Sequence, residues 1–175
     1  TRTKMQPGKA MVVCMSREIC VKFYEALRKL KPELHDDELL KGQMKVVMTA
    51  SASDPKDFQP HHTNRLQKKD LEKRFKDPSD PLKIVIVRDM WLTGFDAPCL
   101  TTMYVDKPMQ GANLAQAIAR VNRVFGDKPG GLVVDYIGIA PQLKEALATY
   151  ANSNGRGQPT INTDEALKIL EEKLK

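Results

Sequence analysis

No GxxxxGKS/T phosphate loop occurs anywhere in the 175 residues. That loop wraps triphosphate oxygens in backbone N–H groups, so a chain without it is not expected to hydrolyse a nucleoside triphosphate alone. The nearest mimic, Gly126-Asp127-Lys128-Pro129-Gly130-Gly131, has the wrong order and opens a strand instead of a helix. Asp36-Asp37-Glu38 resembles a magnesium-holding acidic box, but it follows Pro32 and His35 rather than an apolar strand. It reads as a helix start, where carboxylates offset the helix dipole.

Cysteine is scarce. Cys14, Cys20 and Cys99 are odd in number and lack CxxC spacing, which favours buried thiols in a reducing cytoplasm over a disulfide framework. His61-His62 has no carboxylate or thiol at ligand spacing, so no metal site is expected. No stretch approaches the roughly 18 consecutive apolar residues that span a bilayer. The chain opens on Thr1-Arg2-Thr3-Lys4 with no initiator Met and no signal-like block, as expected of a piece of a longer protein. Repeats and low-complexity segments are also missing.

What is present is an ordinary globular composition, 41% hydrophobic and 29% charged. The net charge is +6, with a pI near 9.2. A basic balance attracts polyanions; it is required of a nucleic-acid binder but does not identify one. Five short runs rich in Val, Ile and Met stand out at 11–15, 45–48, 84–87, 102–105 and 132–134. They do not alternate with polar residues, the pattern of strands buried on both faces.

Helical patterns separate these runs. Ser16 is placed to cap a helix carrying Ile19, Phe23, Leu27 and Leu30 until Pro32 stops it. Further helices are expected at 64–75, with Leu71 and Phe75 four apart, at 114–124, and at 143–150. Strand and helix in alternation predict an α/β fold, a parallel sheet sandwiched by helices, with ligands at the carboxyl ends of the strands. The expected domain covers 1–155. Gly155, Gly157 and Pro159 mark a linker, and 156–175 holds the rest of it and the start of a following helical region with Leu167, Leu170 and Leu174 as its apolar stripe.

Two groups of residues carry chemistry. On a helix, Arg120 lies about 40° from Gln116 and Arg123 about 20° to the other side. Leu114, Ile118, Val121 and Phe125 occupy the opposite face. Two guanidinium forks and an amide thus project together, an arrangement suited to developing phosphoryl charge and worth about 10³–10⁵ in rate as an arginine finger. The same spacing also suits a solvated polar face. The second group is Thr93-Gly94-Phe95-Asp96-Ala97-Pro98, just past the third strand. Gly94 lets backbone approach a ligand and Asp96 can accept hydrogen bonds, although a plain turn and a local cap would use the same residues.

Taken in order, these blocks resemble a known family. Residues 84–98, Ile-Val-Ile-Val-Arg-Asp-Met-Trp-Leu-Thr-Gly-Phe-Asp-Ala-Pro, look like motif V of superfamily-two helicases, in the version found in R subunits of type I restriction enzymes. Gln116 to Arg123 is similar to motif VI and Val12 to Arg17 to motif IV. Tyr104-Val105-Asp106-Lys107-Pro108-Met109 also matches those R subunits. The resemblance covers roughly residues 9 to 150. It departs from many helicases at Ala119, where they carry Gly, and at Arg88, where a Thr is common.

The resemblance implies the second RecA-like domain of an ATP-driven translocase of double-stranded DNA. Arg120 and Arg123 are assigned to the phosphates of ATP and Gln116 to coupling that contact with domain closure. Gly94 and Asp96 are assigned to nucleotide or to those arginines. ATP and Mg would be held mainly by a first RecA-like domain of the same chain, which would also carry a nuclease domain. Methyltransferase and specificity subunits would be partners. Ser16, Arg17, Thr49, Ser51 and Arg88 are the residues expected on DNA. The basic stretch Arg65, Lys68, Lys69, Lys73, Arg74 and Lys76 suits either backbone tracking or a solvated helix face. Two other readings stay open: the equivalent half of another DEAD- or DEAH-type helicase, and a non-catalytic module that binds nucleotide or a protein partner.

Overall fold

In a computed structural model of the chain, the structure describes residues 8–122 and 130–138, together with 141 and 148. Five strands form one sheet in the order β2-β3-β1-β4-β5, where β1 is Lys9–Cys14, β2 Met44–Val47, β3 Ile84–Val87, β4 Leu100–Asp106 and β5 Leu132–Asp135. Every neighbouring pair is parallel. The helices are α1 (Arg17–Leu30), α2 (Arg65–Lys76) and α3 (Gly111–Val121). An α/β sheet with helices on both faces is therefore the fold, as the alternation of patterns requires.

Side-chain alternation along the strands divides the core into two layers. Met11, Val13, Val85, Val87, Met103 and Val105 pack with Leu71 and Phe75 of α2 and Leu114, Ile118 and Val121 of α3. Val12, Cys14, Met44, Val46 and Ile86 face the other way, onto Cys20, Val21 and Tyr24 of α1. All three cysteines are buried free thiols. β1, β2 and β3 are buried nearly throughout. β4 alternates and β5 is half exposed, while α1 makes its main sheet contacts with β1, β2 and β3. Two-sided burial therefore holds for three of the five runs.

Local sequence sets the helix ends. Ser16 accepts a hydrogen bond from the Ile19 amide at 3.1 Å and so caps α1, a contact worth about 1 kcal/mol. Asn64 and Gln67 exchange bonds of 2.9 and 2.8 Å as a capping box for α2. Leu71 and Phe75 are fully buried as their spacing predicts.

Other expectations shift. On α1 the stripe Ile19, Phe23, Leu27 and Leu30 splits: Ile19 and Leu27 pack partly buried against the core, Phe23 is 37% and Leu30 74% exposed, and Cys20, Val21 and Tyr24 are the fully covered residues. A cysteine and a tyrosine with a satisfied hydroxyl serve as core here. α3 begins and ends a turn earlier than expected, with Asn122 past its last residue. Asp36-Asp37-Glu38 does not start a helix; it follows a 3₁₀ turn at Pro32–Leu34. The Asp36 and Glu38 carbonyls receive the buried Lys45 ammonium at 3.0 and 2.8 Å. A buried cation needs those acceptors, and a helix would withhold them. The expected helix at 143–150, Arg123, Phe125, the 155/156 boundary and the tail stripe lie outside the described residues.

A second 3₁₀ helix, Lys56–His61, lays His61 on the α1 layer. Its ring meets Tyr24 edge-on at 4.7 Å. Burial pushes its pKa down to about 4, so the ring is neutral in the fold. An unfolded chain binds that proton near the usual 6.5, so stability present above about pH 6.5 is lost as the pH falls toward about 4. Denaturant midpoints of the wild-type chain are expected to decline across that window. The decline should be shallower by one proton in His61→Phe.

Candidate functional site

Loops after the strands bring the sequence-derived residues to one edge of the sheet. The chain passes from β3 to β4 across β1 without a helix, through 88–99, and buries Trp91, Leu92, Phe95 and Ala97 of that crossover in the α2–α3 layer. With these anchored, Thr93, Gly94 and Asp96 are left exposed at the carboxyl edge. Gly94 has φ 67° and open space where a side chain would be. The backbone turn, and not crowding, is what asks for glycine there.

α3 presents Gln116, which is exposed, and Arg120, which is half-buried, on the face opposite Leu114, Ile118 and Val121. Arg120 Nε donates to the Leu92 carbonyl at 2.9 Å. The guanidinium is thereby tied to the crossover two residues before Gly94. Arg123 lies outside the described residues.

Trp91 was not foreseen from sequence. It is the only non-glycine residue with positive φ among the described residues, at 67°, a conformation that costs a bulky side chain about 1–3 kcal/mol. Its ring stacks on Phe95 at 4.5 Å with 4° between planes, and on Phe75 at 5.9 Å. Such pairs each return about 0.5–1.5 kcal/mol beyond burial.

Beside the crossover lies a cleft of about 430 Å³, walled by Asp89, Leu92, Thr93, Lys107, Met109 and Asn113 among others. Asp89 pairs with Lys107 and, at 3.2 Å, with Arg88. Arg88 Nε also reaches the Met15 carbonyl at 3.3 Å, which links the ends of β1 and β3. Half its side chain remains in solvent.

The other expected contact residues gather around a carboxylate that sequence reasoning missed. The Asp54 side chain is only 3% exposed and takes both ends of the Arg17 fork at 2.7 Å. It also accepts from the Ser51 amide at 2.8 Å and lies 3.0 Å from His62 Nε2. Arg17 in turn donates to the Thr49 carbonyl at 2.8 Å. Arg17, Thr49 and Ser51 are thus brought together, with Ser16 next to them as the cap of α1. Sequence reasoning missed Asp54 because the Arg17 fork it holds lies 37 positions away in sequence.

Arg17 holds the Asp54 carboxyl below the usual range, with the Ser51 amide and His62 adding to the effect. The stabilisation is present above about pH 4 and disappears as the pH falls through the depressed value. Asp54→Asn is expected to lower the denaturant midpoint at neutral pH and to flatten its fall in acid. Unfolding curves between about pH 6 and about pH 2 check this.

Comparison with known proteins fits this geometry. Residues 55–138 match the family model "Type I restriction enzyme subunit R domain 3". Over 99% of its length the chain is 53% identical to the type I restriction enzyme HindI endonuclease subunit of Haemophilus influenzae, covering 17% of that protein. A putative MjaIXP endonuclease subunit of Methanocaldococcus jannaschii is 49% identical over 96% of the chain and 15% of the relative. The chain therefore spans about a sixth of the length of these relatives. Among solved structures, a fragment of a putative HsdR subunit from Vibrio vulnificus YJ016 superposes with TM-score 0.58 at 20% identity, over 79% of this chain and 25% of that one. The C-terminal domain of the DEAD-box protein Dbp5 gives 0.50 at 18% identity, over 96% and 84%. At those identities the structures speak to the fold alone, which is RecA-like, while the sequence relatives speak to descent: the chain belongs to the endonuclease subunits of type I restriction enzymes, one stretch of which it matches.

Proposed function

We propose that this chain is the second RecA-like domain of the motor in a type I restriction endonuclease, where ATP hydrolysis drives movement along double-stranded DNA. The observation that carries the reading is the bond from Arg120 to the Leu92 carbonyl, which joins the motif VI helix to the motif V crossover at the sheet's carboxyl edge. A cation on a rigid helix beside a left-handed glycine turn forms one wall of a triphosphate site. The residues fit ATP in that sense, as half of its surroundings.

ATP supplies the phosphoanhydride bond, and a first RecA-like domain of the parent chain holds most of it, with magnesium. On this reading Arg120 and Arg123 neutralise phosphoryl charge, since a permanently charged planar fork needs no proton transfer to do so. Gln116, exposed on the same face as Arg120, transmits closure of the two domains. Gly94 offers backbone and Asp96 a carboxylate toward nucleotide. By itself the chain hydrolyses nothing, because it lacks the phosphate cradle.

DNA lies across the strand ends, touched by Ser16, Arg17, Thr49, Ser51 and Arg88. These are backbone contacts that carry no sequence information. Sequence choice belongs to a specificity subunit, modification to a methyltransferase subunit, and cutting to a nuclease domain of the parent chain, all in the cytoplasm. Of the basic stretch on α2, Arg74 pairs with Asp80 and the Gly42 carbonyl, and Lys76 pairs with Glu72. Lys73 also has a partner, Asp70 at 3.9 Å, but stands well out in solvent.

In the full-length protein, Arg120→Ala is expected to cut DNA-stimulated ATP turnover by about 10³ or more with the fold intact. Unchanged turnover would favour a binding module instead. Arg88→Ala should weaken DNA binding evenly across sequences and reduce the slope of log affinity against log salt by about 1. A salt titration with unrelated duplexes reads this directly.

A further inference from the structure

Three observations meet at Trp91. Its backbone is left-handed, a region that bulky side chains avoid and that persists only where neighbouring contacts over-determine it. The indole supplies those contacts, since it lies almost parallel to Phe95 and also stacks on Phe75 of α2. Reversing the turn at position 91 would pull the ring out of both stacks. The next residue then makes the two bonds that matter. The Leu92 amide donates back to the Asp89 carbonyl at 3.3 Å, and the Leu92 carbonyl accepts Arg120 Nε.

Packing of α3 does not require this arrangement. Leu114, Ile118 and Val121 already seat the helix in the core. A glycine at 91 would adopt the same turn without strain, yet the sole tryptophan of the chain stands there.

We infer that Trp91 is a positioning residue for Arg120. The ring stack holds the left-handed turn, the turn aims the Leu92 carbonyl at α3, and the carbonyl sets the plane of the guanidinium. A hydrogen bond at Nε restrains the last torsion of the side chain and with it the plane of the terminal nitrogens. This rests on the reading that Arg120 acts on phosphates.

The test uses the full-length protein with DNA and the variants Trp91→Gly, Arg120→Ala and the two combined. Glycine permits the turn but nothing then enforces it. Trp91→Gly should lower kcat for ATP by about 10- to 100-fold through misplacement of the arginine, and Trp91→Phe should restore most of it. Because both residues act through one contact, the combined variant should be no slower than Arg120→Ala. Amide exchange over 89–95, measured without nucleotide, should accelerate about tenfold in Trp91→Gly and stay within about twofold of wild type in Arg120→Ala, because the stack holds the turn.

Additive losses in the combined variant, or unchanged exchange in Trp91→Gly, overturn the proposal while leaving the arginine reading standing. Wild-type turnover in Arg120→Ala sinks both. Should Trp91→Gly fail to fold, Phe95→Leu removes the stacking partner and is judged by the same cycle and the same exchange measurement.

Discussion

Burial of β1, β2 and β3 on both faces is the constraint from which the rest follows. β1 and β3, each between two parallel neighbours, spend their backbone amides on them, and their side chains are covered above and below. Such strands offer nothing to a ligand along their length. Chemistry is confined to the loops at their ends. The positioning of Ser16, Thr49, Arg88 and Gly94 follows from that, since each lies in a segment leaving the carboxyl end of a buried strand.

Those loops are held by polar contacts that sequence spacing does not reveal. The chain's positive charge is less available than its net value implies. Arg17 is committed to Asp54, Arg74 to Asp80, Lys45 to two carbonyls, and Lys9 to the Arg74 carbonyl at 2.6 Å beneath the Phe75 ring. Burial lowers the pKa of Lys9 and Lys45, the direction expected when an ammonium leaves water. Arg88 and Lys73 pair at the surface with Asp89 and Asp70 but keep half or more of their side chains in solvent, where a polyanion can reach them.

The crossover between β3 and β4 shows how packing and geometry combine. Burying several side chains of a loop is unusual, because its backbone polar groups then need partners. Here the Leu92 carbonyl finds Arg120, and the Leu92 amide finds Asp89. Strain at Trp91 is balanced by ring stacking. The loop thus behaves as part of the core while presenting Thr93, Gly94 and Asp96 outward.

The strand Ile84–Val87 was readable from its apolar run alone, and α2 from its capping box and its Leu71–Phe75 pair, because both signals are local. The α1 stripe was legible only in part: Ile19 and Leu27 reach the core but Phe23 and Leu30 do not, since a helix's buried face depends on which side meets the sheet. The acidic run at 36–38 deceived for a similar reason: its carbonyls serve a lysine that only folding brings near. Order and spacing of the motifs were enough to determine family and fold, because chain order is preserved in sequence. Which groups touch was decided by tertiary structure. Asp54 reaches Arg17 and Trp91 turns Leu92 toward Arg120 only after the sheet has assembled, and long-range contact leaves no periodicity behind.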